Sequence, residues 1–257
     1  MSEGTKGVVV SAAGGVRTIT LDRPPLNVMD IAMIGELTGV IGEAGRDPST
    51  RVIVFRQRGK AFSAGVEVAD HTPEKAPAMI EGFTKLFQTM LEASVPTIAV
   101  VEGAALGGGA ELALFCDLVL MGPRGSFGVP EITLGFFPPV AAAALPRRIP
   151  RAIAMELMLT GDRIDAARCA AVGLANAVLP AEGTEEAIAA FVARVAKGSG
   201  AVLRLAVRAT DQTDGMPLSL ALNHASTVFL SDLMRTEDVR EGLASFSEKR
   251  KPVWKDR

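Results

Sequence analysis

The chain has no tyrosine, a single tryptophan (Trp254), two cysteines and two histidines in 257 residues. Each shortage removes a class of chemistry. Cys116 and Cys169 cannot build a disulfide framework or a cysteine-rich zinc site, and each lies in an apolar, helical-looking stretch. They are expected as buried thiols of a reducing compartment. His71 sits in the polar run Asp70-His71-Thr72-Pro73, and His224 lies within a helical stretch. Neither has a partner at metal-ligand spacing, so neither is assigned a catalytic role and no metal is expected. No G-x-S-x-G elbow is present, and Ser63 lacks an evident base. No apolar run reaches the roughly 18 residues that span a bilayer; Asp117 and Gly122 break the best one. The opening residues also lack the basic-then-apolar layout of a signal peptide, which makes a cytoplasmic protein the expectation.

An excess of positive charge is missing as well. The formal charge is −2, with pI near 5.8, against an electrostatic nucleic-acid binder. Local basic groups, Arg147-Arg148 with Arg151 and the tail Lys249-Arg250-Lys251, read as solvated faces; the tail could also meet a phosphorylated ligand. What is abundant is small apolar residues. Hydrophobic types make up 48% of the chain, largely alanine and valine, which suits packed α/β layers with further surface buried between subunits.

Val8–Val10 and Val16–Leu21 read as a hairpin around Ala12-Ala13-Gly14-Gly15. Asp30 is a candidate N-cap for a helix of about sixteen residues with Ile31, Ile34, Leu37 and Ile41 at helical spacing. Strands are predicted at Arg51–Phe55, Thr97–Val101 and Asp117–Met121. Pro77–Leu91 and Gly108–Cys116 are predicted helices, and Ala104–Gly109 a glycine-rich loop. On the helix over 77–91, Ile80, Phe83, Phe87 and Met90 share a side. Beyond residue 150 helices dominate: Arg151–Leu159, Asp165–Val172, Thr184–Lys197, Pro217–Met234 and Glu237–Lys249, with one short strand at Ala177–Leu179. Alternating strands and helices indicate an α/β fold, divided near residue 195 into a core (1–195) and a helical region (196–257).

One stretch stands out: Gly107-Gly108-Gly109-Ala110-Glu111, opening an otherwise apolar helix. An ionised carboxylate there costs several kcal/mol to desolvate unless paired, roughly speaking, so packing alone does not account for it. The glycines lack the Lys-Ser/Thr of a P-loop and the spacing of a dinucleotide fingerprint. They bring bare N–H groups to the positive end of a helix, which suits a carbonyl oxygen. Glu131, in Gly128-Val129-Pro130-Glu131-Ile132, reads equally as an exposed turn carboxylate; its pairing with Glu111 raises its interest.

These residues carry a family resemblance. Gly59-Lys60-Ala61-Phe62-Ser63-Ala64-Gly65, the run Val101 to Leu112 and Phe127-Gly128-Val129-Pro130-Glu131-Ile132 resemble the crotonase (enoyl-CoA hydratase/isomerase) family. Leu21-Asp22-Arg23-Pro24 with Asn27, and Leu159-Thr160-Gly161 through Gly173-Leu174-Ala175-Asn176, extend the likeness over essentially the whole chain. The resemblance implies a spiral of β-β-α units forming two roughly perpendicular sheets, with a C-terminal helical region that builds a homotrimer or a dimer of trimers. It implies a coenzyme A thioester as substrate and no separate cofactor. The N–H groups of Val66 and Gly108 would form the oxyanion hole, worth about 3 kcal/mol of barrier per donor. Glu111 would deprotonate a water and Glu131 would exchange the α-proton. Lys60, Ala64, Val66 and Gly108, with Phe246 and Lys249 from the C-terminal region, would contact the CoA moiety.

The chain departs from the hydratase pattern after Glu131. The usual Pro-Gly-x-Gly-Gly is replaced by Gly135-Phe136-Phe137-Pro138-Pro139-Val140, so Pro139 offers no N–H where hydratases have a glycine, and Phe136 and Phe137 reshape the acyl pocket. This resembles the subgroup that hydrates cyclic dienoyl-CoA esters. The alternatives are an enoyl-CoA double-bond isomerase or another reaction on the same scaffold, and a non-catalytic or RNA-associated paralogue.

Overall fold

A computed structural model describes residues 7–257. β1 (Val8–Ala13) and β2 (Val16–Leu21) form the expected antiparallel hairpin. Its turn is tighter than predicted: Ala13 pairs with Val16, leaving Gly14 and Gly15 as a two-residue loop, both at positive φ. Asp30 caps α1 (Ile31–Arg46), accepting the Met33 N–H.

The chain then winds through three similar turns, each placing a strand in a large sheet, a strand in a small sheet, and a helix. They are β3 (Val52–Gln57), β4 (Ala61–Ser63) and α2 (Ala76–Ala93); β5 (Thr97–Val101), β6 (Ala104–Leu106) and α3 (Gly108–Phe115); β7 (Leu118–Met121), β8 (Ser126–Gly128) and α4 (Pro139–Arg148). There follow α5 (Arg151–Thr160), β9 (Arg163–Asp165), α6 (Ala166–Ala171), β10 (Ala177–Val178) and α7 (Thr184–Ala196). The C-terminal helices are α8 (Gly200–Thr213), α9 (Leu218–Ser231) and α10 (Glu237–Ser247). The large sheet runs β1-β2-β3-β5-β7-β10 and the small one β4-β6-β8-β9. Both are parallel apart from the edge pairs β1–β2 and β8–β9. This is the β-β-α spiral that the sequence resemblance implied.

In the middle of the large sheet residues 52–55 of β3, β5 and β7 are apolar because both faces are covered there, whereas the edge strand β1 is largely exposed. Ile53, Phe55, Ala99, Val101, Val119 and Met121 join the main core, while the alternating Val52, Val54, Ile98, Val100 and Leu120 pack with Ile188, Val192 and Ala196 of α7. Cys116 and Cys169 are buried and free.

Three expectations need correction. The predicted loop at Ala104–Gly109 begins as strand β6, whose Ala104, Ala105 and Leu106 pair with Ser126, Phe127 and Gly128. Ile80 does not join the buried side of α2; it is exposed, and Met79 and Leu86 are buried instead. Helices α4 and α8 escaped prediction. α8 carries a half-buried contact that periodicity does not reveal. The Arg204 guanidinium donates to the carbonyls of Ala44, Gly45, Asp47, Thr50 and Ala93 at 2.8–3.1 Å. It thereby satisfies last-turn carbonyls of α1 and α2 that no helical N–H can reach.

Candidate active site

The site is assembled where the small sheet hands its strands to α3. After β4, Gly65 turns at φ +112° and Val66 forms a parallel bridge to Met29. That bridge uses the Gly65 carbonyl and the Glu67 N–H, both bonded to Met29 at 2.9 Å, and leaves the Val66 N–H unused. Gly108 is the first residue of α3, so its N–H is one of the orphan donors of a helix start. Among the described residues neither N–H finds a protein acceptor. The two groups are neighbours: a Cβ on Gly108 would stand 3.4 Å from the Val66 nitrogen and 2.6 Å from Val66 Cγ2. Only a bare backbone fits.

One turn into α3, Glu111 is 2% exposed. Its Oε1 accepts the Ala141 N–H at 2.8 Å, a free donor at the start of α4. Pro139 occupies the first position of that helix, where a missing N–H costs no helical bond. The segment that replaces the usual glycines therefore still delivers a backbone donor, but to Glu111 and from residue 141. Glu131 belongs to a 3-10 turn, Pro130–Leu134, and is half-buried rather than buried. Its Oε2 atom is nonetheless sealed from solvent with no hydrogen-bond partner, while Oε1 occupies space a Cβ on Gly107 would need, 2.9 Å away. Gly107 sits at φ +52°. A side chain there would strain the backbone and evict the carboxylate.

Burial pushes Glu111 up to about 8; the negative charge of Glu131 adds to this, and the Ala141 and Val140 N–H groups oppose it. Burial also raises Glu131, against its own backbone N–H and the nearby His71. Hydrogen bonding favours the anion on Glu111, yet desolvation outweighs it. Two raised carboxylates facing one cavity titrate as a unit that keeps one proton in the neutral range.

Both carboxylates, with Val66 and Gly108, line a cavity of about 520 Å³. Its remaining wall is apolar: Met79, Ile80 and Phe83 from α2, then Leu134, Phe136, Phe137 and Pro139. Two unpaired donors and a proton-sharing acid pair in such a cavity can polarise a carbonyl while protons are moved beside it.

The sequence profile of the Enoyl-CoA hydratase/isomerase family matches residues 11–257. The chain belongs to that family. Cyclohexa-1,5-dienecarbonyl-CoA hydratase of Thauera aromatica is 35% identical over 245 residues, covering 95% of this chain and 94% of that protein. The 2,3-dehydroadipyl-CoA hydratase of Escherichia coli is 32% identical over 253 residues, 97% and 99% of the two chains. The crystal structure of an enoyl-CoA hydratase from Bacillus anthracis superposes with TM-score 0.92 at 30% identity, over 98% of this chain and 100% of that one.

Within this member of the hydratase/isomerase family, Ala64, Val66, Gly108, Glu111, Glu131, Phe136, Phe137 and Pro139 all line the one cavity. Lys60 does not. It lines a second cavity of about 430 Å³ with Gln57, Gly59, Glu102 and Arg124. Phe246 and Lys249 line neither; Phe246 is 87% exposed at the end of α10, so within one chain they stand apart from the site. Sequence reasoning missed His71, which does line the cavity and whose ring lies 5.2 Å from that of Phe136. A lone histidine in a polar loop carries no spacing signal. Its place emerges only when the segment before α2 folds against residues 131–137.

Proposed function

We propose that the chain adds water across the double bond of an α,β-unsaturated acyl-CoA thioester. The observation that carries this reading is the presence of both Glu111 and Glu131 on the cavity that also receives the free N–H groups of Val66 and Gly108. The thioester oxygen accepts from those two donors, which draws electron density from the β-carbon. In the reacting form the pair's one proton sits on Glu131: a water between the carboxylates gives its oxygen to the β-carbon and a proton to the ionised Glu111, while Glu131 delivers its proton to the α-carbon. One C–O and one C–H bond form, the C=C π bond breaks, and the pair keeps one proton throughout. The Ala141 N–H steadies the ionised Glu111 that takes the proton of water.

The acyl group we assign is a cyclic dienoyl ring. Phe136 and Phe137 supply flat apolar walls at the acyl end, and the Thauera relative is named for such a substrate. Ala64 and the cavity around Lys60 are assigned to the CoA moiety. Leu218, Leu222, Leu230 and Leu243 are all at least 60% exposed on α9 and α10, which supports a helical oligomerisation region over 196–257 packed on a 1–195 core, as a homotrimer or a dimer of trimers. Sedimentation velocity tests that assembly; a monomer at micromolar concentration contradicts it.

The test of function is loss of the conjugated-thioester absorbance with crotonyl-CoA and with cyclohexa-1,5-dienecarbonyl-CoA. Turnover of both is expected, with the higher kcat/KM for the ring. No loss with either substrate overturns the hydratase reading, and a preference for crotonyl-CoA overturns the ring assignment.

A further inference from the structure

The acid–base pair has a third polar neighbour. On the cavity wall the polar side chains are His71, Glu111 and Glu131; everything else is apolar or glycine. Glu111 already holds the Ala141 N–H, whereas the sealed Oε2 of Glu131 has no donor at all. His71 is fixed rather than loose. Its Nδ1 lies 3.0 Å from the Glu67 carbonyl, which can only accept, so Nδ1 carries a hydrogen and the ring is held in one orientation. Phe136 packs against the ring from the opposite segment.

Other charges around His71 are occupied locally. Asp70 pairs with the Lys75 ammonium at 3.0 Å and accepts the Ile31 N–H. Glu67 turns its carboxylate to the Ala69 N–H, and Glu74 is held by its own turn. Across the cavity stand Glu111 and Glu131. A positive charge on His71 acts on Glu131, whose Oε2 has no donor, across a cavity wall that is otherwise apolar, where charges interact more strongly than in water. We propose that His71 is a positioning residue that sets the protonation state of Glu131 and so matches it to the α-proton step. The idea rests on the acid–base reading of Glu131 given above.

In this account a positive charge at position 71 draws Glu131 towards its ionised form, and an uncharged side chain there lets Glu131 hold its proton. The experiment reads Glu131 directly, by carbon NMR of glutamate-labelled full-length protein in a Glu111→Gln background, where no second carboxylate couples to it. His71→Phe should raise the Glu131 midpoint by about half a pH unit or more. His71→Lys, which restores a charge, should bring it back towards the parent value. In proteins that keep Glu111, the acid limb of kcat/KM for hydration should move up with the phenylalanine and not with the lysine. His71→Gln, uncharged but polar, serves if the phenylalanine variant fails to fold, and the same upward shift is expected of it. Equal midpoints in the neutral and lysine variants overturn the proposal. The titration needs no turnover, so a parent enzyme that fails to hydrate sinks the functional reading without touching this result.

Discussion

Glu111 should make the fold weaker as well as active, and the cost can be worked out. In the folded chain its pKa is about 8 against an ordinary 4.5, because the carboxyl is 2% exposed. The folded state therefore holds a proton that the unfolded chain releases. Stability is fully present below pH 4.5 and is lost as pH rises through about 8. At about 1.4 kcal/mol per pH unit, the loss reaches about 3 kcal/mol at pH 7, about 4 kcal/mol at pH 8 and about 5 kcal/mol well above it. Glu111→Gln keeps the shape and an oxygen for the Ala141 N–H but cannot ionise. The variant should lose hydration by several orders of magnitude and gain stability, with a gap that is about 1 kcal/mol at pH 5 and widens steadily to pH 8. Urea unfolding followed by far-UV circular dichroism, at one fixed protein concentration for every pH, measures it. A gap that stays constant between pH 5 and 8 would show that Glu111 is not held in a desolvated, proton-retaining state.

Further consequences concern other parts of the site and scaffold. Activity requires one proton on the carboxylate pair, so kcat/KM for hydration should be bell-shaped in pH and fall above about 8; a flat profile to pH 10 contradicts the shared proton. Gly108→Ala would press a Cβ to 2.6 Å from Val66 Cγ2 and close the gap between the two donors. Its kcat should fall by about two to three orders of magnitude, with smaller change in CoA affinity measured by calorimetry. Arg204→Met would take the guanidinium from five carbonyls, of which Asp47 keeps the Thr50 N–H, and should lower stability by about 3 kcal/mol in urea unfolding.

Much of the site was legible because its signals are local and costly. Packing against Ser63 accounts for Gly109, but a carboxylate in an apolar helix has no packing explanation, and the structure puts Gly108 and Glu111 on one cavity wall. Glu131 was ambiguous alone, since a turn carboxylate after proline is common; only the fold brings its Oε1 against Gly107. The large sheet was readable from runs such as Thr97–Val101, buried on every side chain. The small sheet was not. Its strands β4, β6, β8 and β9 are each three residues long, too short to show a period. α4 hid because Pro138, Pro139 and Pro146 argue against a helix, although Pro139 stands at a position that tolerates it. His71 and Arg204 act through contacts distant in sequence, with no local pattern to announce them. Phe246 and Lys249, at the end of the last helix, lie away from the cavity within one chain, so no contact in the monomer relates them to it.

The central claim is that Glu111 and Glu131 act together on one water and one thioester. Turnover of the enoyl-CoA substrate in water carrying both oxygen-18 and deuterium tests it most directly, with mass spectrometry of the product. The account predicts one oxygen-18 on the β-carbon and one deuterium on the α-carbon in every product molecule, with both labels lost in Glu111→Gln and in Glu131→Gln. A product that carries deuterium without oxygen-18 would contradict it, because protons would then move at this site without any water being added.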